Sequence, residues 1–301
     1  MAESSKSRCG FVAVLGAPNA GKSTLVNELV GAKVSIVTHK VQTTRIRIMG
    51  IAKKEECQIV FIDTPGIFEP RRRLDRAMVE AAWQGANDAD RIMLIVDAKR
   101  GMNRDTVRIL KGLENSNQMA VLVLNKIDLV KREELLAVAA EFNTMKNFEE
   151  TFMISALRGD GVADILSHLV GSLPEGPWMF PENQISDLPQ RLMAAEVTRE
   201  YLFLQTHQEV PYLTTVETEL WEEFKDGSIK IEQTIYVQRD SQKAIILGKK
   251  GTRLRDIGAS ARQELSVMFG CKVHLFIRVK VRDKWMDDRS LYRAWGLNFN
   301  A

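Results

Sequence analysis

Between residues 10 and 173 short apolar runs alternate with longer stretches in which apolar positions recur at helical spacing. FVAVL (11–15), QIVFI (58–62), RIMLIV (91–96), MAVLVL (119–124) and TFMIS (151–155) are continuous runs of strand length, the pattern of strands covered on both faces. The segments 23–29, 104–113, 133–143 and 162–170 between them are helix-length. Strand and helix in alternation predict an α/β fold, a mostly parallel sheet with helices on both sides. After residue 190 the pattern changes. RLMAAEVTREYLFLQ reads as a helix, and TTVETELWEEF and IKIEQTIYVQR show the every-other-residue alternation of hairpin strands. Two helices around a glycine pair follow in SQKAIILGKKGTRLRDIGASARQELSVMFG, and KVHLFIRVKV closes as a strand. These elements predict a second, smaller α+β domain.

Four of the eight prolines lie in PEGPWMFPENQISDLP, residues 174–189, which marks the joint. The expected division is a nucleotide-type domain at 1–174, a linker at 175–190 and a second domain at 191–301. With 301 residues, 45% hydrophobic and 27% charged, the chain lies outside the disordered and collagen-like classes. No apolar run approaches the roughly 18 residues of a membrane span, and FVAVLG after Lys6 and Arg8 is too short for a signal-peptide core. A cytoplasmic protein is expected. Cys9, Cys57 and Cys271 are widely spaced without a CxxC pair, which argues against a disulfide framework and zinc. Charge divides unevenly: the net value is +3, yet residues 225–301 hold 16 Lys and Arg against 8 Asp and Glu. The C-terminal part is therefore expected to meet a polyanion.

The chemistry is most explicit at the strand ends. Gly16-Ala17-Pro18-Asn19-Ala20-Gly21-Lys22-Ser23 fits GxxxxGK[ST] between an expected strand and an expected helix. Backbone N–H groups in such a loop wrap phosphates at a helix N-terminus; Lys22 would contact the β- and γ-phosphates, and Ser23 would ligate Mg²⁺. IVFIDTPG ends the next strand in Asp63-Thr64-Pro65-Gly66, where the carboxylate can hold Mg²⁺ through water and the Gly66 N–H can sense a γ-phosphate. VLVLNKID ends another in Asn125-Lys126-Ile127-Asp128; the aspartate can accept from both N1–H and N2–H₂ of guanine, a donor pair that adenine lacks. Three such motifs at successive strand C-termini point to GTP and GDP as ligands.

With these motifs the chain resembles the translation-factor-related GTPases. The resemblance implies a guanine loop at Ser155-Ala156-Leu157, with the Ala156 N–H meeting the guanine O6, and a first switch in VTHKVQTTRIR. There Thr44 is expected to close on Mg²⁺, with Thr43 as the alternative. Ala20 and Thr24 complete the expected nucleotide contacts, and Lys22, Thr44 and Gly66 the catalytic set. Where Ras-like GTPases carry a water-positioning glutamine after DxxG, this chain has Ile67, so slow intrinsic hydrolysis is expected. Asn19 resembles the asparagine with which some relatives bind K⁺; its other reading is a loop stabiliser. Arg71-Arg72-Arg73, beyond the second switch, is either a solvated loop or a contact that feels nucleotide state.

Ile246-Leu247-Gly248-Lys249-Lys250-Gly251 resembles the GxxG loop of a type II KH domain, placed between two helices, after a hairpin and before a strand. Such a loop lets backbone approach single-stranded RNA while Lys249, Lys250 and Arg253 reach phosphates and Ile246 helps cradle bases. A GTPase domain followed by a KH domain is similar to the bacterial GTPases of small-subunit ribosome assembly. That resemblance implies binding of 16S rRNA near its 3′ end and of the 30S subunit, RNA and not DNA, by a monomer. It also implies peripheral contact with the inner membrane, although no lipidation motif or amphipathic anchor in the residues speaks for it.

Overall fold

The computed structural model describes residues 7–40, 42–114, 120–145, 148–206 and 210–301. Lys6, Val41 and Met119, named above, lie outside them. The chain divides into two compact units: residues 1–187 together with 290–301, and residues 188–289.

The first unit contains β1 (Arg8–Gly16), α1 (Lys22–Val30), β2 (Ile48–Lys54), β3 (Cys57–Asp63), α2 (Arg73–Asn87), β4 (Arg91–Asp97) and α3 (Arg104–Glu114). It continues with β5 (Ala120–Asn125), α4 (Arg132–Met145), β6 (Thr151–Ile154) and α5 (Val162–Ser172). The six strands stand in the order β2-β3-β1-β4-β5-β6. All pairs are parallel except β2 with β3. Residue parity sorts the two cores. Val12, Val14, Phe61, Met93, Ile95, Val121 and Val123 pack against Leu25, Val26 and Leu29 of α1 and Ile165 and Leu169 of α5. Their neighbours Ala13, Leu15, Leu94, Val96, Leu122 and Leu124 pack on the other face against α2, α3 and α4. Because both faces are covered, the strands read as unbroken apolar runs.

Two elements escape that pattern in the sequence. IMGIAKK forms the edge strand β2; its Gly50 is hemmed in by Val26 and Val30, each 2.9 Å from where a Cβ would lie, and its lysines end the strand in solvent. The helix α2 follows the second switch directly and is initiated by Asp75, whose Oδ2 accepts from the Arg71 and Arg72 N–H groups at 3.1 and 3.0 Å. The proline-rich segment is irregular but fixed to this unit. Buried Gln58 accepts from the Met179 and Phe180 N–H groups at 3.0 Å each and donates to the Phe180 carbonyl at 2.8 Å. The Ile51 N–H donates to the Ile185 carbonyl at 2.9 Å.

The second unit contains α6 (Gln190–Gln205), β7 (Thr214–Glu223), β8 (Ile229–Val237), α7 (Asp240–Leu247), α8 (Thr252–Met268) and β9 (Val273–Val281). Its sheet runs β7-β8-β9, antiparallel then parallel. Ala194, Val197 and Leu202 of α6 and Ile257, Ala261 and Leu265 of α8 pack on one face of it. The short helix α9 (Arg289–Ala294) opens a C-terminal segment whose residues 290–301 pack with the first unit, not with the domain that precedes them in sequence. There Phe299 stacks edge-on against Tyr292 at 5.0 Å and lies under the Arg73 guanidinium at 4.4 Å. Asn298 donates to Glu80 at 3.0 Å, and the Arg76 Nε–H donates to the Ala301 carbonyl at 3.1 Å. Arg73 is thus a docking residue for this segment.

Candidate functional site

The loop after β1 turns on two left-handed residues, Asn19 (φ 63°) and Gly21 (φ 100°), the second of which caps α1. Gly21 has no alternative, since a Cβ there would lie 2.2 Å from the Asn125 amide nitrogen. Asn125, buried at the end of β5, is the keystone of the cleft. Its Nδ2 donates to the Ala20 carbonyl at 2.9 Å, and its Oδ1 accepts from the Lys126 and Ala156 N–H groups at 2.8 and 3.0 Å. Three loops from distant parts of the sequence are thereby held by one side chain.

The neighbouring motif residues tighten the same cleft. Lys126, left-handed at φ 67°, donates from Nζ to the Asn19 carbonyl at 2.6 Å and to Asp97 at 2.8 Å. Asp128 accepts from the Ser155 hydroxyl at 2.7 Å, which fixes the carboxylate at the base end. The Ala156 N–H, expected at the guanine O6, is engaged by Asn125 in this structure, and Leu157 is largely exposed. Asn19 donates through its amide to the His39 carbonyl at 2.9 Å, which ties the phosphate loop to the first switch.

At the phosphate end Lys22 is buried and donates to the Gly16 and Ala17 carbonyls at 3.1 and 3.0 Å. Burial pushes its ammonium down to about 8, partly countered by Asp63. The Ser23 and Thr44 hydroxyls are 2.8 Å apart, while Thr43 turns away to Thr38 and the Lys40 carbonyl at 2.6 and 2.7 Å. Of the two threonines, the structure brings Thr44 to Ser23. Thr24, Gly66 and Lys22 line the same cavity. Gly66 sits where a Cβ would be 3.0 Å from Pro18, so the second switch lies against the phosphate loop. Ile67 is fully buried in the core and donates its N–H to the Gly16 carbonyl at 3.1 Å, so it supplies no side chain to the cavity.

Asp63 is fully buried, and among the described residues neither of its carboxylate oxygens has a hydrogen-bond partner. Burial raises its carboxyl, and the hydroxyls of Ser23, Ser35 and Thr44 and the Lys22 charge pull it back. A buried carboxylate among the hydroxyls of Ser23, Ser35 and Thr44 is an oxygen donor set that fits a hard, hydrated divalent cation. Among the described residues no cluster of three or more His, Cys, Asp or Glu side chains could hold a metal by itself.

The second unit carries a separate groove. Gly248 (φ 68°) and Gly251 (φ 76°) turn the chain between α7 and α8, with Lys249 and Lys250 exposed at the tip. Beside them Leu254, Gly258 and Ala259 of α8 face Leu275, Phe276 and Ile277 of β9 across an open groove. Exposed Arg255, Arg262 and Arg278 border it. Two of the residues expected to contact RNA are engaged within the protein here. Ile246 is completely buried in the core, because helical spacing turns it inward and leaves Ile245 at the surface. Arg253 folds its guanidinium back on the Ile245 carbonyl and caps α7. Sequence reasoning also missed Phe276, 53% exposed on β9, which alternation alone assigns to the solvent face.

A strand-ended triad of nucleotide motifs in one unit and a glycine-turned basic groove in the other define a P-loop GTPase that carries a KH domain. Residues 11–126 match the 50S ribosome-binding GTPase family and residues 209–286 the KH domain family. GTPase Era of Sinorhizobium medicae is 61% identical over 292 residues, covering 97% of this chain and 94% of its own. GTPase Era of Mesorhizobium japonicum is 58% identical over 298 residues, covering 99% and 96%. The crystal structure of Era with MgGDPNP and nucleotides 1506–1542 of 16S ribosomal RNA superposes with a TM-score of 0.92 at 38% identity, covering 96% of this chain and 99% of that one. A variant of Aquifex aeolicus Era bound to GDP·AlF₄⁻ gives 0.91 at the same identity. The chain belongs to the Era GTPases and is a GTP-hydrolysing enzyme. Among the described residues no helix is long and apolar enough to cross a membrane.

Proposed function

We propose that this chain binds 16S rRNA near its 3′ end through the groove between α8 and β9 and acts as a GTP-dependent switch in maturation of the 30S subunit. The observation that carries the reading is the groove itself: small residues on its helical wall, apolar residues on its strand wall, and exposed Lys249, Lys250, Arg255, Arg262 and Arg278 at its borders. Backbone and small side chains admit a single strand closely, and the cations meet its phosphates. The Era structure that holds nucleotides 1506–1542 of 16S rRNA supports the choice of RNA.

In the nucleotide cleft Asp128 accepts from the guanine edge and Lys22 neutralises the β- and γ-phosphates. Ser23, Thr44 and Asp63 hold Mg²⁺, which offsets charge as the γ-phosphate leaves. Asn19, already aimed at the His39 carbonyl, is where K⁺ would add to that charge; equal turnover in K⁺ and Na⁺ would exclude this. Loss of the γ-phosphate releases Thr44 from Ser23 and the Gly66 segment from Pro18, an order-to-disorder signal.

The test is retention of a labelled oligonucleotide carrying the 16S 3′ end. Gly248→Asp with Gly251→Asp places two carboxylates at the backbone turn and is expected to abolish retention with GTP binding intact. Unchanged retention would refute the groove as the RNA site.

A further inference from the structure

Thr38, Lys40 and Thr43 of the first switch bond to one another: the two threonine hydroxyls are 2.6 Å apart, and Thr43 donates to the Lys40 carbonyl at 2.7 Å. Gln42 beside them is left-handed at φ 58°, a conformation that a glutamine keeps only where its surroundings impose it. The segment is tied to the phosphate loop through Asn19 and the His39 carbonyl at 2.9 Å, and to α1 through Ser23 and Thr44 at 2.8 Å. A further tie runs to α2, where the Gln42 Nε2 donates to the Asp75 Oδ1 at 2.9 Å.

Asp75 is 6% exposed, and both of its oxygens are in use. Oδ2 accepts from the Arg71 and Arg72 N–H groups and so starts α2 behind the second switch, while Oδ1 takes the Gln42 amide. One side chain therefore joins the first switch to the helix that follows the second. A carboxylate buried to this degree loses more than one bond's worth when a donor is withdrawn, because its oxygen is left without a partner. Gln42 also lines the nucleotide cavity with Thr43, Thr44 and Gly66, and it precedes Thr44 by two residues. Where Asp75 fixes Gln42, it fixes the backbone that carries Thr44.

Resting on the reading that Thr44 closes on Mg²⁺ when GTP is bound, we propose that Asp75 is a positioning residue for GTP hydrolysis: through Gln42 it holds the first switch so that Thr44 stays against Ser23. GDP binding does not need Thr44 and so does not draw on this tie.

The test is single-turnover GTP hydrolysis by the full chain, with mant-GDP affinity and hydrogen exchange of the GDPNP-loaded protein measured beside it. Asp75→Ala would also uncap α2, so the variants act from the Gln42 side. Gln42→Ala removes the tie and leaves the cap: hydrolysis should slow about 10-fold, the worth of one hydrogen bond to a carboxylate, with mant-GDP affinity within about twofold of wild type. Exchange over residues 42–44 should quicken with it. Gln42→Glu sets two carboxylates against each other and should be at least as slow. Adding Asp75→Asn to Gln42→Glu restores the bond with donor and acceptor exchanged, while the remaining oxygen still caps α2. Rate and exchange should then return to within about threefold of wild type, a rescue that a merely structural role would not give. If Thr44→Ala hydrolyses GTP at the wild-type rate, the reading of the metal site itself fails. If Thr44→Ala is slow and Gln42→Ala is not, or the double variant stays as slow as Gln42→Glu, or Gln42→Ala weakens mant-GDP binding as much as it slows hydrolysis, the role of Asp75 is overturned.

Discussion

Asn125→Ala tests how the nucleotide cleft is held together. The side chain is 2% exposed and makes three hydrogen bonds, to the Ala20 carbonyl and from the Lys126 and Ala156 N–H groups. Truncation leaves three polar groups without their partner and a void over Gly21. An unsatisfied buried group costs about 1–3 kcal/mol; with one of the three recovered by water, the expected loss is about 2–6 kcal/mol. For a unit of this size that lowers the melting temperature by roughly 4–24 °C. Differential scanning calorimetry of the full chain reads the two units as separate transitions, and only the one protected by added GDP should move. Asn125→Asp keeps the shape but presents a carboxylate to the Ala20 carbonyl, so it should lose comparable stability. A shift under 2 °C for both variants would show that the three loops hold their positions independently and refute the keystone.

Other expectations follow from single contacts. Asp128→Asn offers the guanine edge an amide, so GTP affinity should fall at least about a hundredfold while xanthosine triphosphate binding improves; retained GTP binding would contradict the base contact. Gly258→Leu puts a side chain into the groove opposite Ile277, which lies 3.5 Å from the Cβ position. RNA affinity should drop at least about tenfold with GTP binding unchanged, and helix α8 should gain about 0.5–1 kcal/mol from loss of a mid-helix glycine. Phe299→Ala removes the stack on Tyr292 and the Arg73 cation over its ring, together worth about 1–2.5 kcal/mol. Hydrogen exchange should quicken in α2, residues 73–80, and not in the hairpin of the second unit; the opposite pattern would place the C-terminal segment with the wrong unit.

What the sequence disclosed follows from how local each signal is. The phosphate loop, Asp63 and the Asn125 to Asp128 motif are short, contiguous and sit at the ends of apolar runs, so both their chemistry and their convergence can be read from a string. The covered strands are equally plain because burial on both faces leaves no polar interruption. Strand β2 is hidden by Gly50, small for the sake of α1 behind it, and by its two lysines. Asp75 carries no motif at all; its link to Gln42 is a tie between a helix and a loop that only folding creates. The docking of residues 290–301 is likewise invisible, since adjacency in sequence assigns them to the basic domain while Phe299 finds its partner near the second switch. Ile246 and Arg253 stand beside the GxxG turn in the string, but helical spacing buries one and a carbonyl captures the other.

The most direct measurement is the affinity of one 16S 3′-end oligonucleotide for the full chain loaded with GDP, loaded with a non-hydrolysable GTP analogue, and free of nucleotide. A ligand shifts a conformational equilibrium only by its preference between the states, so a switch requires tighter RNA binding with the GTP analogue than with GDP, by at least about fivefold. Identical affinities in all three states would leave a constitutive RNA-binding protein with GTP as a structural ligand, and the switch would be refuted.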